Sequence, residues 1–361
     1  MISTDPQVHG APTRPTSASG PAALPSAVVY GISIREPGGP EVLEWTEQPD
    51  PEPGSGEVVL DVVAAGVNRA DVMQRQGNYP PPAGASELPG LECSGRIREV
   101  GPGVSGWEVG DQACALLAGG GYAERVAVPS AQLLPIPDGV SLTDAGALPE
   151  VACTVWSNVV MLGGLRSGQT FLVHGGSGGI GTHAIQVGKA LGATVLATAG
   201  HEDRLQICRD LGADHAIDYH GDFVEEVKAA TDGHGADLIL DHIGARNLDA
   251  NLDALALDGR LTIIGLMGGA KGEINLAKLL TRRLSVGATS LRAREVGGPN
   301  GKGSIVAAVR TDLWPLVGSG RVRPIIHERI PVQEASRAHQ LMDDGGVVGK
   351  LLLTVRDEAD V

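Results

Sequence analysis

Two textures of apolar and polar positions divide the chain. From Val28 to about Pro149 the apolar runs are short, and VVLDVVAAGV and AERVAV stand among turns such as EPGGPE, PEPGSGE and GPGVSG. That spacing predicts short strands in a compact, mostly β barrel or sandwich. From about Thr170, β-branched apolar segments alternate with amphipathic ones. TFLVH precedes a helix from Gly179 to Leu191, TVLATA a helix through ICRDLG, and HAIDY the segment FVEEVKAAT. DLILDH then precedes LDANLDALAL, RLTIIG precedes INLAKLLTRR, and LSVGATSL closes the series. Strand and helix repeated at this interval predict a doubly wound parallel sheet covered by helices on both faces. After about Leu291 the pattern returns to loops, one helix (Ile305 to Val317) and terminal strands such as GKLLLTV, expected to rejoin the first domain.

Composition narrows the possibilities. Of 361 residues 42% are hydrophobic and 20% charged, which can build cores, and the length suits two domains. Residues 1–27 are rich in Pro, Ala, Ser, Thr and Gly and are expected to form a disordered tail. Asp5 is its first charge, Pro21 and Pro25 break its apolar patch and Arg14 stands alone, so no leader is expected and a cytoplasmic location follows. A formal net charge of −15 opposes binding to nucleic acid or to an anionic membrane surface. No run approaches the roughly 18 apolar residues of a membrane span. Cys93, Cys114, Cys153 and Cys208 lie too far apart for a metal knuckle or a dense disulfide framework, and read as small buried hydrophobes.

One motif carries chemistry by its context. TFLVH runs into Gly176-Ser177-Gly178-Gly179-Ile180-Gly181 and then a helix, the GxGxxG arrangement of a dinucleotide-binding turn. Gly176 is read as allowing the tight turn, Gly178 as admitting the pyrophosphate and Gly181 as letting helix pack on strand, while the helix start offers free N–H donors. At the end of the next strand an NAD site would place a carboxylate for the ribose hydroxyls. Here stand Gly200 and His201 with Arg204 nearby, which favours a 2′-phosphate and therefore NADPH. Glu202 and Asp203 oppose this but suit a helix start. Tyr219, ending the third strand, is a candidate to stack on adenine.

On these and further segments the chain resembles the medium-chain dehydrogenase/reductases, in their zinc-free quinone oxidoreductase (zeta-crystallin-like) branch. The segments are AAGVNRADVMQRQGNYPPP, LPGLECSGRIREVGPGV, GDQACAL, GGYAERV, LPEVACTVW and HGGSGGIGTHAIQVGKALGA. LALDGRLTIIGLMGG and TSLRAR are most similar to the subgroup typified by the tumour-suppressor-inducible quinone oxidoreductase. The resemblance implies a GroES-like β-rich catalytic domain from residues 28–152 and 292–361, and a Rossmann domain from 153–291. It places NADPH in the cleft between them. It implies that Thr154 faces the nicotinamide ribose, that Ile264, Gly265, Leu266 and Met267 form a backbone lip for the carboxamide, and that Leu291, Arg292 and Lys350 close over the cofactor. Where zinc-dependent relatives carry a Cys ligand this chain has Asn68, and where they carry a His it has Gly90-Leu91-Glu92, so a metal-free enzyme is expected.

Without a Lewis acid, ordinary ketones become poor substrates, whereas a quinone or activated carbonyl compound is already electrophilic and mainly needs positioning. NADPH:quinone oxidoreduction is therefore the leading expectation. Asn68 and Tyr79 are read as hydrogen-bond donors to the acceptor oxygen. Reduction of an activated C=C bond, as in enone and enoyl reductases, is an alternative, and a non-catalytic NADPH-binding redox sensor another. The strand LSVGATSL is a candidate edge for a homodimer.

Overall fold

The computed structural model describes residues 1–2 and 28–360; the expected tail lies outside the described residues from position 3 to 27. Seven strands precede the connection to the second domain: β1 (Val29–Ile34), β2 (Leu43–Gln48), β3 (Glu57–Gly66), β4 (Glu92–Val100), β5 (Gln112–Leu116), β6 (Arg125–Pro129) and β7 (Leu133–Pro135). The second domain contributes β8 (Thr170–Val173), β9 (Thr194–Ala199), β10 (His215–Asp218), β11 (Ala236–Asp241), β12 (Leu255–Ile263) and β13 (Ser285–Ala288). The chain ends with β14 (Ile326–Pro331) and β15 (Lys350–Thr354).

The near-continuous apolar run of β3 is buried almost throughout, because this strand is the hub of the first domain. It pairs antiparallel with β4, β6 and β15, in a sheet of order β14-β15-β3-β4-β5-β7 with β6 off that path. Both ends of the chain thus supply one GroES-like sheet, whose core gathers Leu60, Val62, Ile97, Tyr122, Leu351 and Leu353. The other sheet has the order β10-β9-β8-β11-β12-β13, parallel at every pairing. That is the doubly wound Rossmann order, with its switch point between β8 and β11. Its core continues across the domain boundary, joining Leu116, Leu148 and Trp156 to Phe171, Ile185, Ile305 and Leu313. Each large side chain so buried contributes roughly 1.5–3 kcal/mol.

Three differences from the pattern reading stand out. Helices at Arg69–Arg75 and Ala335–Asp344 fall where loops or strands were expected. The first is started by Asn68, whose backbone N–H donates to the Asp71 carboxylate at 2.8 Å, a local capping signal outweighed by the surrounding Gly and Pro. The expected helix through LDANLDALAL stops at Ala254, and Leu255 already begins β12, because Leu255 pairs with Ala236. The last Rossmann strand ends at Ala288, so Thr289 to Leu291 leave the sheet toward the barrel. All four cysteines are buried and free. Among the described residues no helix is long and apolar enough to cross a membrane.

Candidate active site

The phosphate-binding turn sits at the switch point. Gly175, one residue ahead of the motif, carries the left-handed conformation at φ 65°. Gly176, expected to allow the turn, instead answers to crowding: a Cβ there would meet Cys208 Sγ at 2.6 Å and Ala197 Cβ at 2.8 Å. Gly178 precedes the helix Gly179–Ala190 and has only Gly175 O near the place of a side chain, at 3.5 Å, so its surface is open to a ligand. At Gly181 a Cβ would lie 2.2 Å from Gly175 O, because helix and strand pack backbone to backbone there. Ser177 is buried and accepts from Gly349 N at 2.9 Å, while Ile180 packs against the shared core. The turn thus touches both domains.

Polar side chains beneath it hold its shape. Thr198 Oγ1 accepts from Gly175 N at 3.2 Å and contacts His174 Nδ1 at 3.1 Å, and His174 Nε2 reaches Asn251 Oδ1 at 2.7 Å. The turn is preorganised by a buried network. At the adjoining strand end, Gly200 lies under Tyr219, whose hydroxyl would be 2.4 Å from a Cβ on the glycine. His201 is exposed, and Arg204 reaches toward Gly346 in the loop before β15. Gly200, His201, Arg204 and Tyr219 are thereby brought to one end of the turn.

On the barrel side Lys350 is the connector. Its stem lies against the turn, 2.7 Å from where a Gly179 Cβ would be. Its Nζ donates to Asn68 Oδ1 at 2.5 Å and Val67 O at 2.9 Å, and pairs with Glu92 Oε1 at 2.7 Å. Asn68 also donates to Glu92 Oε1 at 3.0 Å and Gly66 O at 3.3 Å. Its amide hydrogens, expected to face an acceptor oxygen, are thus turned onto the protein. Asp71, fully buried, accepts from Gly90 N at 2.9 Å and from the Asn68 backbone, and burial pushes its carboxyl up to about 6.

The remaining candidates line the other side. Ile264 to Met267 fold back on the end of β11: Ile264 N donates to Asp241 O at 2.7 Å and Met267 N to His242 O at 3.1 Å, leaving Leu266 and Met267 exposed. Thr154 is buried near the end of the helix Pro149–Val155, while Leu291 joins the core. Arg292 is committed to the barrel, donating to Ala118 O at 2.8 Å, Tyr79 O at 3.1 Å and Gln74 Oε1 at 2.7 Å. Tyr79 is half-buried, and its hydroxyl shares a hydrogen bond with Ser290 at 3.0 Å.

Comparison with known proteins now adds identity. The alcohol dehydrogenase GroES-like domain matches residues 54–138, and the zinc-binding dehydrogenase domain residues 179–297. A solved structure described as an NAD-dependent alcohol dehydrogenase is 32% identical and covers 91% of this chain and 100% of its own, with a TM-score of 0.80. The chain is a medium-chain dehydrogenase/reductase. Among its relatives the quinone oxidoreductase of Rattus norvegicus is 29% identical over 90% of this chain and 98% of its own. The mycocerosic acid synthase-like polyketide synthase of Mycolicibacterium smegmatis is 31% identical over 90% of this chain, which spans only 15% of that protein. The Escherichia coli quinone oxidoreductase complexed with NADPH has a TM-score of 0.80 at 28% identity, covering 90% of this chain and 100% of its own. CurK enoyl reductase also reaches 0.80, at 25% identity, covering 91% and 99%.

This medium-chain dehydrogenase/reductase has a donor set that does not fit the family's zinc. Asn68 and Glu92 bond to one another and to an ammonium already lodged between them. Among the described residues no group of three or more His, Cys, Asp and Glu side chains could hold a metal. A nicotinamide dinucleotide fits far better, given the open Gly178 surface and the free N–H groups of the helix behind it. Two side chains escaped the sequence reading. His242 lies against Gly175 and Gly265 at the switch point, and burial pushes its imidazole down to about 4, so it is neutral near pH 7. Glu150 lies beside Glu92, its backbone N–H donating to Glu92 Oε2 at 2.9 Å. Glu150 lies inside LPEVACTVW and His242 at the end of DLILDH, and neither segment marks it as a functional side chain.

Proposed function

We propose that this enzyme is a metal-independent, NADPH-preferring reductase of quinones and similarly activated acceptors, within the quinone oxidoreductase branch of its family. The observation that carries the reading is the ammonium–carboxylamide–carboxylate cluster of Lys350, Asn68 and Glu92 in the place of a metal site, directly against a dinucleotide-binding turn. The turn and helix start hold the pyrophosphate, while Gly200, His201 and Arg204 receive the 2′-phosphate and Tyr219 covers the adenine. Thr154 and the lip from Ile264 to Met267 orient the nicotinamide, which when bound supplies a hydride. Tyr79, sharing a proton with Ser290, offers a donor at the mouth. An acceptor that delocalises its own developing charge needs little more than this positioning. Likeness to the polyketide synthase and to CurK enoyl reductase supports a second reading, reduction of an activated C=C bond in the same cleft.

Titration of chelator-treated protein with NADPH and NADH, followed by an ortho-quinone or an enone, tests both. NADPH should bind more tightly, and its nicotinamide absorbance should fall on adding quinone. Turnover of the enone alone would select the second reading, and turnover of neither would reject both. Arg204→Glu tests the cofactor choice, since a carboxylate there repels a 2′-phosphate without adding a side chain beneath Tyr219. NADPH affinity should fall at least about tenfold, roughly 1.4 kcal/mol, with NADH affinity kept. Equal loss for both cofactors would place the 2′ position elsewhere.

A homodimer is proposed through β13, which pairs with β12 on one side and has no strand on its outer edge among the described residues. Around it Leu257, Leu276, Leu280 and Val286 are exposed, Leu280 at 81%. An apolar surface beside an open strand edge suits a second copy of the chain. Leu280→Glu should weaken self-association by more than about tenfold, or 1.4 kcal/mol, in light scattering. An unchanged dimer mass would move the interface away from this edge.

A further inference from the structure

A cleft of about 240 Å³ is lined by Ser157, Met161, Leu162, Thr289, Arg294 and Asn300. Asn158 ties its floor to the cofactor side, donating from Nδ2 to Thr154 O at 2.8 Å and accepting at Oδ1 from Thr289 Oγ1 at 2.6 Å. Its rim is tied to the mouth. Ser290, which follows Thr289, shares a hydrogen bond with the Tyr79 hydroxyl at 3.0 Å, and its carbonyl accepts from Arg294 Nε at 3.2 Å. One wall belongs to Trp156–Leu162, a π-helical segment of the kind that recurs at functional sites. Met161 and Leu162 are exposed there and give that wall an apolar surface.

The opposite wall is cationic. Arg294 is half-buried, and its Nη1 donates to Asn300 O at 2.8 Å while its Nη2 has no partner among the described residues. Behind it the buried Lys302 donates to Arg294 O at 2.8 Å, and the buried Arg292 donates to Ala118 O, Tyr79 O and Gln74 Oε1. All three cations are thus held by neutral oxygens, and none has an ion pair among the described residues. Glu150 is near enough for Arg292 and Lys302 to feel its charge, yet its side chain bonds to Thr154 instead. In a chain of formal net charge −15 these groups reverse the local sign of the field. A guanidinium fixed by two carbonyls, with a nitrogen still open, is a preorganised donor for a carboxylate.

We propose that this cleft is a subsite for an anionic group of the acceptor, so that the preferred substrates are quinones or enones carrying a carboxylate, an inference that rests on the reductase reading above. The electrophilic part of the acceptor lies between Tyr79 and the nicotinamide position. Its apolar body runs along Met161 and Leu162, and its carboxylate accepts from Arg294 Nη2. Arg292 and Lys302 strengthen the positive field without leaving their own partners. The pairing contributes mainly to binding, because the carboxylate carries the same charge before and after reduction.

The test uses the full chain with NADPH and two matched pairs of acceptors: a naphthoquinone with a short carboxyalkyl chain against its methyl ester, and an enone acid against its ester. The acid should exceed the ester in kcat/KM by at least about tenfold, chiefly through KM, and the ratio should shrink as ionic strength rises. Arg294→Gln should bring the ratio to about one, and Arg294→Lys should recover part of it. Loosening of Ser290 would slow acid and ester alike and leave the ratio unmoved. Calorimetric titration of the NADP-bound protein with the two hydroquinone products reads the same preference without turnover. Equal behaviour of acid and ester in wild type, or a preference surviving in Arg294→Gln, would overturn the subsite. Wild-type protein that binds NADPH but reduces none of the acceptors would instead remove the reductase reading, and the calorimetric preference, lost with Arg294 or never present, would still decide whether the cleft takes an anion.

Discussion

Lys350→Met is expected to destabilise the protein by about 3–5 kcal/mol, because it strands a carboxylate in a dry interior. Glu92 is fully buried, and Lys350 Nζ is its only cationic partner among the described residues, at 2.7 Å. The lysine side chain is itself 6% exposed, so solvent cannot take over when the ammonium is removed. The same head group also leaves Asn68 Oδ1 and Val67 O without a donor. Chemical denaturation read by tryptophan fluorescence should show the midpoint falling sharply with little change of slope. Adding Glu92→Gln removes the stranded charge while its one carbonyl oxygen still accepts from the Glu150 N–H and its NH2 can donate to the Asn68 Oδ1 that the lysine leaves, and should restore more than half of the loss. Additive losses in the double variant would mean that the pair is not coupled, contrary to the shared hydrogen bonds.

Gly181→Ala should abolish high-affinity NADPH binding while leaving most of the fold intact. The added Cβ would lie 2.2 Å from Gly175 O and 2.6 Å from Gly176 Cα, and neither can swing aside as a side chain would. Helix Gly179–Ala190 has to move off β8, carrying its N–H donors away from the phosphates. Overpacking of this kind costs roughly 1–3 kcal/mol of stability, and the displaced donors should lower NADPH affinity by more than about 100-fold, or 2.7 kcal/mol. Fluorescence titration, with circular dichroism as the check on folding, measures both. Gly178→Ala is the informative contrast, since its Cβ meets only Gly175 O at 3.5 Å. It should spare stability and still obstruct the pyrophosphate. Wild-type affinity in Gly181→Ala would show that this contact does not set the turn.

The Rossmann half was legible from the chain because each βα unit closes within a few tens of residues. TVLATA is β9 to the residue, and the helix after the glycine turn starts at Gly179 as its pattern predicts. GxGxxG between strand and helix, and the missing carboxylate at Gly200, needed only neighbours in sequence. Even there, the residue at positive φ is Gly175, because the sequence pattern cannot tell a glycine kept for its dihedral from one kept for space. LDANLDALAL misled for a related reason: helical periodicity ran on past Ala254, but pairing with β11 turned Leu255 into strand.

The barrel side of the cleft was decided by tertiary structure. Asn68 meets Glu92 across 24 positions and Lys350 across 282, distances over which no local propensity acts. The sequence alone placed Asn68 and Gly90-Leu91-Glu92 where, by resemblance, zinc-dependent relatives carry a Cys and a His ligand. Only folding decided that Asn68 and Glu92 would be satisfied by a buried ammonium and turned inward.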